Sequence, residues 1–237
     1  MGDFLMHYGW AGILTALAGY LLGSISFSII FTKFFAQKDI RDCGSGNAGA
    51  TNVLRSVGAR AALLTFVCDF AKCVAAVLIG SAIFGALAST EPGQAANLTA
   101  KYGAYIGGTG CLFGHLYPVY FHFKGGKGVT TTAAMMVLFD WRVFLIEFAL
   151  FLILFAWKRI VSLGSIAAGA VYPFVTFAVT FWIDYQGAGG YPLSYVITAT
   201  VVTAIVGFTV VCKHKENIKR LRAGTEKQIQ FRKKAKD

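Results

Sequence analysis

The chain has 237 residues, 56% of them apolar and only 14% charged, with a mean hydropathy of +0.61. A soluble domain carries about 25% charged residues, so this composition excludes an ordinary soluble enzyme and predicts an all-α integral membrane protein. The net charge of +11 would suggest nucleic acid in a soluble chain. Here the basic residues lie mainly in loops and the tail, which points instead to membrane orientation and anionic ligands, with no nucleic-acid partner.

Cys43, Cys68, Cys73, Cys111 and Cys212 show no metal spacing and read as small buried hydrophobes. Asp3 and His7, rather than a basic region, precede the first apolar run, so a cleaved signal peptide is not expected. With no internal repeat and no soluble-sized segment, one domain over 1–237 is the simplest division, ending in a basic cytoplasmic tail at 213–237.

The first apolar run, Phe4 to Phe35, is long enough to cross about 30 Å of hydrocarbon. Gly19, Gly23, Ser24, Ser26 and Ser28 give it a small-residue face for close helix packing. A polar, glycine-dense segment follows, Gly44-Ser45-Gly46-Asn47-Ala48-Gly49-Ala50-Thr51-Asn52-Val53-Leu54-Arg55, with Lys33, Lys38, Arg41 and Arg60 around it. Its glycines let the backbone turn sharply, and successive N–H groups in such a turn can cup an anion. Thr51 or Asn52 is expected to cap a following helix, and Arg55 offers a two-pronged oxyanion donor. The competing reading is a plain interhelical turn.

The second span, Ala61 to Leu87, carries Asp69 and Lys72 at i, i+3 on one face. That pair is either structural or part of the site. Ser89 to Ala100 reads as a polar loop turning at Glu91-Pro92-Gly93. A third span, Tyr102 to Phe121, ends near His115-Leu116-Tyr117-Pro118. His115 is kept among the binding candidates, although a histidine at a helix end is more often structural. A second glycine loop follows, Lys124-Gly125-Gly126-Lys127-Gly128-Val129-Thr130.

Val129 to Phe139 is short for a span unless its helix starts inside that loop. Asp140-Trp141-Arg142 reads as a turn. Further spans run Val143 to Trp157, Val161 to Ile183 and Leu193 to Cys212, with a turn at Gly187 to Pro192. The tail from Lys213 holds ten Lys or Arg and reads as amphipathic or frayed.

These runs predict about seven transmembrane helices, with the N-terminus outside and the C-terminus cytoplasmic. Threaded so, both glycine loops, the Lys158-Arg159 turn and the tail lie on the cytoplasmic side, and only Lys101 and Arg142 remain on the other. Five spans is the competing count, and it preserves the sidedness.

On that face Lys127 sits between Gly126 and Gly128, placing an ammonium beside backbone amides as a phosphate cradle would. The loop lacks the G-x-x-x-x-G-K-[ST] spacing and alone could be a flexible basic turn. Two such loops, each with a cation, suggest two anionic groups held together. At the tail start, His214 and Asn217 share a helix face, with Arg220 one step on. The alternative there is a basic helix lying on lipid headgroups. No G-x-S-x-G elbow is present, so Ser45 reads as an oxyanion or phosphate donor rather than a nucleophile. Clustered acidic ligands are missing from this face, so neither a metal nor another cofactor is expected.

These motifs, together with Gly23-Ser24-Ile25-Ser26, Asp69-Phe70-Ala71-Lys72 and Ser162-Leu163-Gly164-Ser165, closely resemble the PlsY family, the bacterial acyl-phosphate:glycerol-3-phosphate acyltransferases. The resemblance runs in order from about Gly23 to Glu226. It implies a seven-helix inner-membrane fold. It also implies transfer of an acyl group from acyl phosphate to the 1-hydroxyl of sn-glycerol 3-phosphate, giving lysophosphatidic acid and inorganic phosphate. This is the first acylation of bacterial phospholipid synthesis, with membrane lipids as surroundings.

Carried over, the resemblance implies that Ser45 and Arg55 meet substrate phosphate while Gly44, Gly46, Asn47, Thr51 and Asn52 shape and line their loop. Gly125, Gly126, Lys127 and Gly128 bind glycerol 3-phosphate. Ser162, His214, Glu216 and Asn217 form the third motif, with His214 and Asn217 among the catalytic candidates beside Ser45, Arg55 and Lys127. The proton acceptor is either the departing phosphate or His214.

Three rivals fit less well. An acyl-CoA-dependent enzyme of the soluble type would carry H-x-x-x-x-D, which no histidine here begins. A CDP-alcohol phosphotransferase needs spaced aspartates. An organic-anion transporter would show repeated halves.

Overall fold

A computed structural model describes residues 2–91, 93–187 and 189–229, with side chains from Tyr8 onward. Pro92, Ala188 and the tail beyond 229, which include parts of the expected turns and tail, lie outside the described residues. Among the described residues the regular elements are all helices, in two compact units, 1–141 and 142–237.

The first unit holds α1 (Gly2–Gly23), α2 (Phe27–Ala36), α3 (Ala50–Ser56), α4 (Ala59–Leu87), α5 (Gly93–Leu116) and α6 (Val129–Phe139). The first apolar run, expected as one unbroken span, is two helices separated by Ser24-Ile25-Ser26. The reason is local. Gly23 is a poor helix former, and the serines engage one another and the preceding turn: Ser24 Oγ donates to the Tyr20 carbonyl at 2.8 Å, and the Ser26 and Ser28 hydroxyls lie 3.2 Å apart.

α5 also corrects an expectation. Residues 94–100, read as loop, are its first turns. Gln94 and Asn97 lie on its exposed surface, and Thr99 Oγ1 donates to Glu91 Oε2 at 3.3 Å, where Tyr8 Oη also donates to Glu91 Oε1 at 2.8 Å.

α1, α4 and α5 approach until backbones touch. A Cβ on Gly23 would strike the Cys111 carbonyl, and one on Gly80 or Gly103 would strike the carbonyl of the other. The small-residue face expected on the first run therefore packs against α5. Dispersion and close backbone contact carry this interface, because apolar burial offers little once lipid is the alternative.

The second unit holds α7 (Trp141–Lys158), α8 (Val161–Val179), a π-helical continuation (Thr180–Tyr185), α9 (Leu193–Lys213) and α10 (Lys215–Arg222). The expected turn at 140–142 shrinks to Asp140, and Trp141 and Arg142 lie in the first turn of α7. The Arg142 guanidinium grips Asp184 with both prongs, at 3.0 and 2.9 Å. Gly169 of α8 faces Gly207 of α9, repeating the glycine contact of the first unit.

Among the described residues, four stretches are long and apolar enough to cross a membrane: Tyr8–Ala36, Ala59–Leu87, Val161–Tyr185 and Leu193–Lys213. α6 has only 11 residues. α7 carries Arg142, Glu147 and Lys158 within 18 residues.

Candidate active site

In the first unit, the Gly44–Arg55 loop stands on a small apolar footing. Ile40, Ala48 and Val53 are fully buried with Ile29, Ala61 and Ala62. Above that footing the loop is organised by one amide. Asn52 Oδ1 accepts from the Ser45 backbone N–H at 3.0 Å. Its Nδ2 lies 3.2, 2.9 and 3.1 Å from the Ile40, Cys43 and Asn47 carbonyls.

Asn52 therefore does not cap the helix, as the sequence suggested. Gly49 occupies the cap of α3, with no side-chain cap bond. The reason lies in the turn. Gly44 and Gly46 take left-handed conformations at φ +58° and +70°, which fold the loop back over Asn52. A Cβ on Gly44 would run into the Asn52 side-chain oxygen. Gly44, Ser45, Gly46 and Arg55 are exposed, Asn47 and Thr51 half-buried. Ser45 thus presents its hydroxyl from a loop whose backbone is tied from inside.

The second loop is reached through a strained turn. His122 and Phe123 both take left-handed φ, +58° and +59°, which costs roughly 1–2 kcal/mol for each non-glycine residue. The turn is held by the Phe123 N–H donating to the Pro118 carbonyl at 2.9 Å. Gly125 and Gly126 then lie directly on the end of α5: Gly126 N–H donates to the His115 carbonyl at 3.1 Å. A Cβ on Gly125 would strike that carbonyl, and one on Gly126 would strike His115 Nε2 and come within 2.7 Å of the Ala48 carbonyl. Gly128, at φ +83°, caps α6, which begins at Val129 and not inside Gly125–Gly128. Lys127 is half-buried between them.

The two loops share one cavity of about 550 Å³, lined by Asp39, Arg41, Asp42 and Gly46 from the first side and His122, Lys124 and Gly125 from the second. Arg41 braces its wall: it holds Asp39 with Nε and Nη2 and donates from Nη1 to the Phe121 carbonyl at 2.9 Å. Hydrogen bonds from Arg41 keep the Asp39 carboxyl below its usual range. Asp39 therefore neutralises Arg41, and Lys124 is the cation left on this wall.

In the second unit, His214, Asn217 and Ser162 are buried, whereas Glu216 is exposed and pairs with Lys219 at 3.2 Å. The residue that gathers the third motif is Glu226. Its Oε1 accepts from Ser162 Oγ at 2.8 Å and Asn217 Nδ2 at 2.6 Å, and its Oε2 from Arg220 Nε at 2.6 Å. Burial would raise the Glu226 carboxyl pKa, but these three donors outweigh burial and hold it low.

Sequence reading passed over Glu226 as one tail charge among many. The available signal was Gly224, two residues past α10. At φ +69° it turns the chain back, with Thr225 N–H donating to the Arg220 carbonyl at 2.9 Å. His214 Nδ1 lies 2.7 Å from the Val210 carbonyl. A carbonyl only accepts, so Nδ1 carries the proton, and in the neutral ring Nε2 is the accepting nitrogen.

The sequence model of the glycerol-3-phosphate acyltransferase family matches residues 13–224, nearly the whole chain. The chain belongs to this family. A glycerol-3-phosphate acyltransferase of Syntrophomonas wolfei is 39% identical over 210 residues, covering 89% of this chain and 93% of its own. One from Thermoanaerobacter sp. (strain X514) is 36% identical over 217 residues, covering 92% and 95%. The fold is similar to that of the crystal structure of PlsY (YgiH), an integral membrane glycerol 3-phosphate acyltransferase, in its glycerol 3-phosphate form. The TM-score is 0.72 at 31% identity, over 93% of this chain and 96% of that one. The lysophosphatidic acid form of the same enzyme gives 0.70.

Proposed function

We propose that this family member transfers an acyl group from acyl phosphate to the 1-hydroxyl of sn-glycerol 3-phosphate, releasing lysophosphatidic acid and inorganic phosphate without a metal. The supporting observation is a cavity that both loops reach, Gly46 from the first and Lys124 and Gly125 from the second; Ser45, Arg55 and Lys127 are not among the residues that line it. Both substrates carry phosphate, and their mutual repulsion must be offset. We assign Arg55 and Lys127 to the two phosphoryl groups, with Lys127 and the Gly125–Gly128 loop on glycerol 3-phosphate; the Gly126 N–H is already engaged by the His115 carbonyl and shapes the loop instead. The Ser45 hydroxyl serves the acyl phosphate and the developing oxyanion, presented by a loop whose Ser45 and Gly46 N–H groups are tied inward.

Acyl phosphate is a mixed anhydride with a good leaving group, so positioning and charge neutralisation carry most of the catalysis. The glycerol oxygen attacks the acyl carbon, the bond from that carbon to the phosphate oxygen breaks, and phosphate departs with its electron pair. The hydroxyl proton goes to the departing phosphate or to His214, whose Nδ1–Val210 bond leaves Nε2 as the accepting nitrogen. Asn217 and Ser162 are held by Glu226, and Glu216 is the third motif's outlying candidate. The proposed setting is the bacterial inner membrane, with seven spans and the N-terminus outside. The distribution of Lys and Arg supports that sidedness.

The test is acyl transfer by purified protein in detergent. Phosphate release from acyl phosphate should depend on glycerol 3-phosphate, match lysophosphatidic acid one for one and survive chelator. Product from acyl-CoA without phosphate release, or loss of activity in chelator, would reject the reading. Lys127→Met should raise the glycerol 3-phosphate KM about 10–100-fold, the worth of one charged hydrogen bond; an unchanged KM would count against the cradle.

A further inference from the structure

Below the second loop lies a buried charge cluster to which the proposed mechanism assigns no work. Asp69, Lys72 and His115 are 2%, 6% and 6% exposed. Lys72 Nζ donates to the Ile25 carbonyl at 2.6 Å, lies 3.2 Å from His115 Nδ1 and forms an ion pair with Asp69 Oδ1 at 2.8 Å. The Phe27 ring covers it at 5.8 Å. Ile25 sits in the break between α1 and α2, so one ammonium ties that break, the middle of α4 and the end of α5 together.

An ammonium only donates, so His115 Nδ1 accepts and its proton sits on Nε2. The carboxylate is farther from the ring, 3.7 Å, and meets the ammonium first. Nε2 is the ring atom beside Gly126, at the point where Gly126 also approaches the Ala48 carbonyl of the first loop. The same residue's carbonyl accepts from the Gly126 N–H. His115 therefore touches the second loop twice, and Lys72 dictates both its ring position and its tautomer. A plain structural ion pair would need neither the imidazole nor the loop contact.

We infer that Asp69, Lys72 and His115 form a positioning relay that seats the Gly125–Gly128 loop against the Gly44–Arg55 loop and so sets the affinity for glycerol 3-phosphate. The relay rests on the reading of the second loop as the glycerol 3-phosphate cradle. None of the three residues touches substrate; each acts through the loop.

The experiment is steady-state kinetics in detergent with each substrate varied, alongside thermal unfolding, for Lys72→Met, His115→Asn, the double variant and His115→Gln. Lys72→Met and His115→Asn should each raise the glycerol 3-phosphate KM by about tenfold, with the acyl phosphate KM within about threefold. The double variant should be no worse than the weaker single by more than about twofold, because the residues act in series. Glutamine places an N–H near the Nε2 position, so His115→Gln should recover most of the loss.

If Lys72→Met does not fold, Lys72→Arg carries the test. A planar guanidinium cannot bring one nitrogen to all three partners, so the same KM shift is expected. A lower unfolding temperature with an unchanged glycerol 3-phosphate KM would overturn the relay, as would both KM values moving together or fully additive losses. Wild-type protein without saturable glycerol 3-phosphate dependence would instead overturn the cradle reading itself.

Discussion

The glycine loops of the first unit and the third motif of the second solve the same problem by different means. Around Asn52 and His115 the shape is written in the backbone: left-handed glycines, carbonyls tied by one buried amide, and two glycines pressed on a helix end. Around Glu226 it is written in side chains, with a hydroxyl, an amide and a guanidinium converging on one carboxylate. The first kind of site should be sensitive to an added methyl group and indifferent to mild acid. The second should tolerate added bulk at its rim and respond to protonation. A backbone cradle suits binding of a fixed anionic shape, whereas a side-chain cluster suits a group whose charge must change during the reaction.

The largest expected effect separates these roles. His214→Ala should lower kcat by roughly 10²–10⁴ with little change in either KM. A variant that keeps kcat and only raises KM would move His214 from the chemistry to binding.

Gly126→Ala should come next. Its Cβ would collide with His115 and the Ala48 carbonyl, and overpacking of about 1–3 kcal/mol corresponds to a 5–150-fold rise in the glycerol 3-phosphate KM. Near-wild-type kinetics would show that the loop is loose rather than seated. Asn52→Ala should destabilise the first unit by about 1–3 kcal/mol, because it leaves the Ser45 N–H without its acceptor. The check is thermal unfolding in detergent, and a shift confined to the second unit's transition would contradict it.

The smallest effect is in pH. The folded carboxyl of Glu226 lies below the ordinary glutamate value of about 4.3. Its contribution is therefore complete above that value and is lost as pH falls through the lower folded one. Protease protection of 219–229 should be flat from about pH 8 to pH 5 and fall below about pH 4. Glu226→Gln should be insensitive across the same range. Loss of protection near neutrality in the wild type would contradict this assignment.

Much of this was legible in the sequence, for reasons that also explain the gaps. Apolar length placed α4, α8 and α9 to within a few residues, because a run that long has one helical outcome in lipid. The two glycine loops and the i, i+3 spacing of Asp69 and Lys72 were equally plain. The break at Ser24-Ile25-Ser26 was only half legible: Gly23 and the serines loosen the helix locally, but the Ile25 carbonyl at the break is taken by Lys72, 47 residues away. The helical residues 94–100 were hidden because Gln94, Asn97 and Thr99 read as loop, whereas Gln94 and Asn97 sit on the exposed helix surface and Thr99 bonds Glu91. The left-handed pair His122-Phe123 carries no glycine or asparagine to announce it. Tertiary contact enforces that turn, as it does the gathering of Ser162 and Asn217 by Glu226.

The most direct measurement is a crystal structure of this protein grown with glycerol 3-phosphate. Its phosphate should lie within hydrogen-bond distance of Lys127 and against the Gly125–Gly128 loop, with the cavity toward Gly46 open for the second phosphoryl group. A phosphate bound outside that cavity, touching neither glycine loop, would contradict the account.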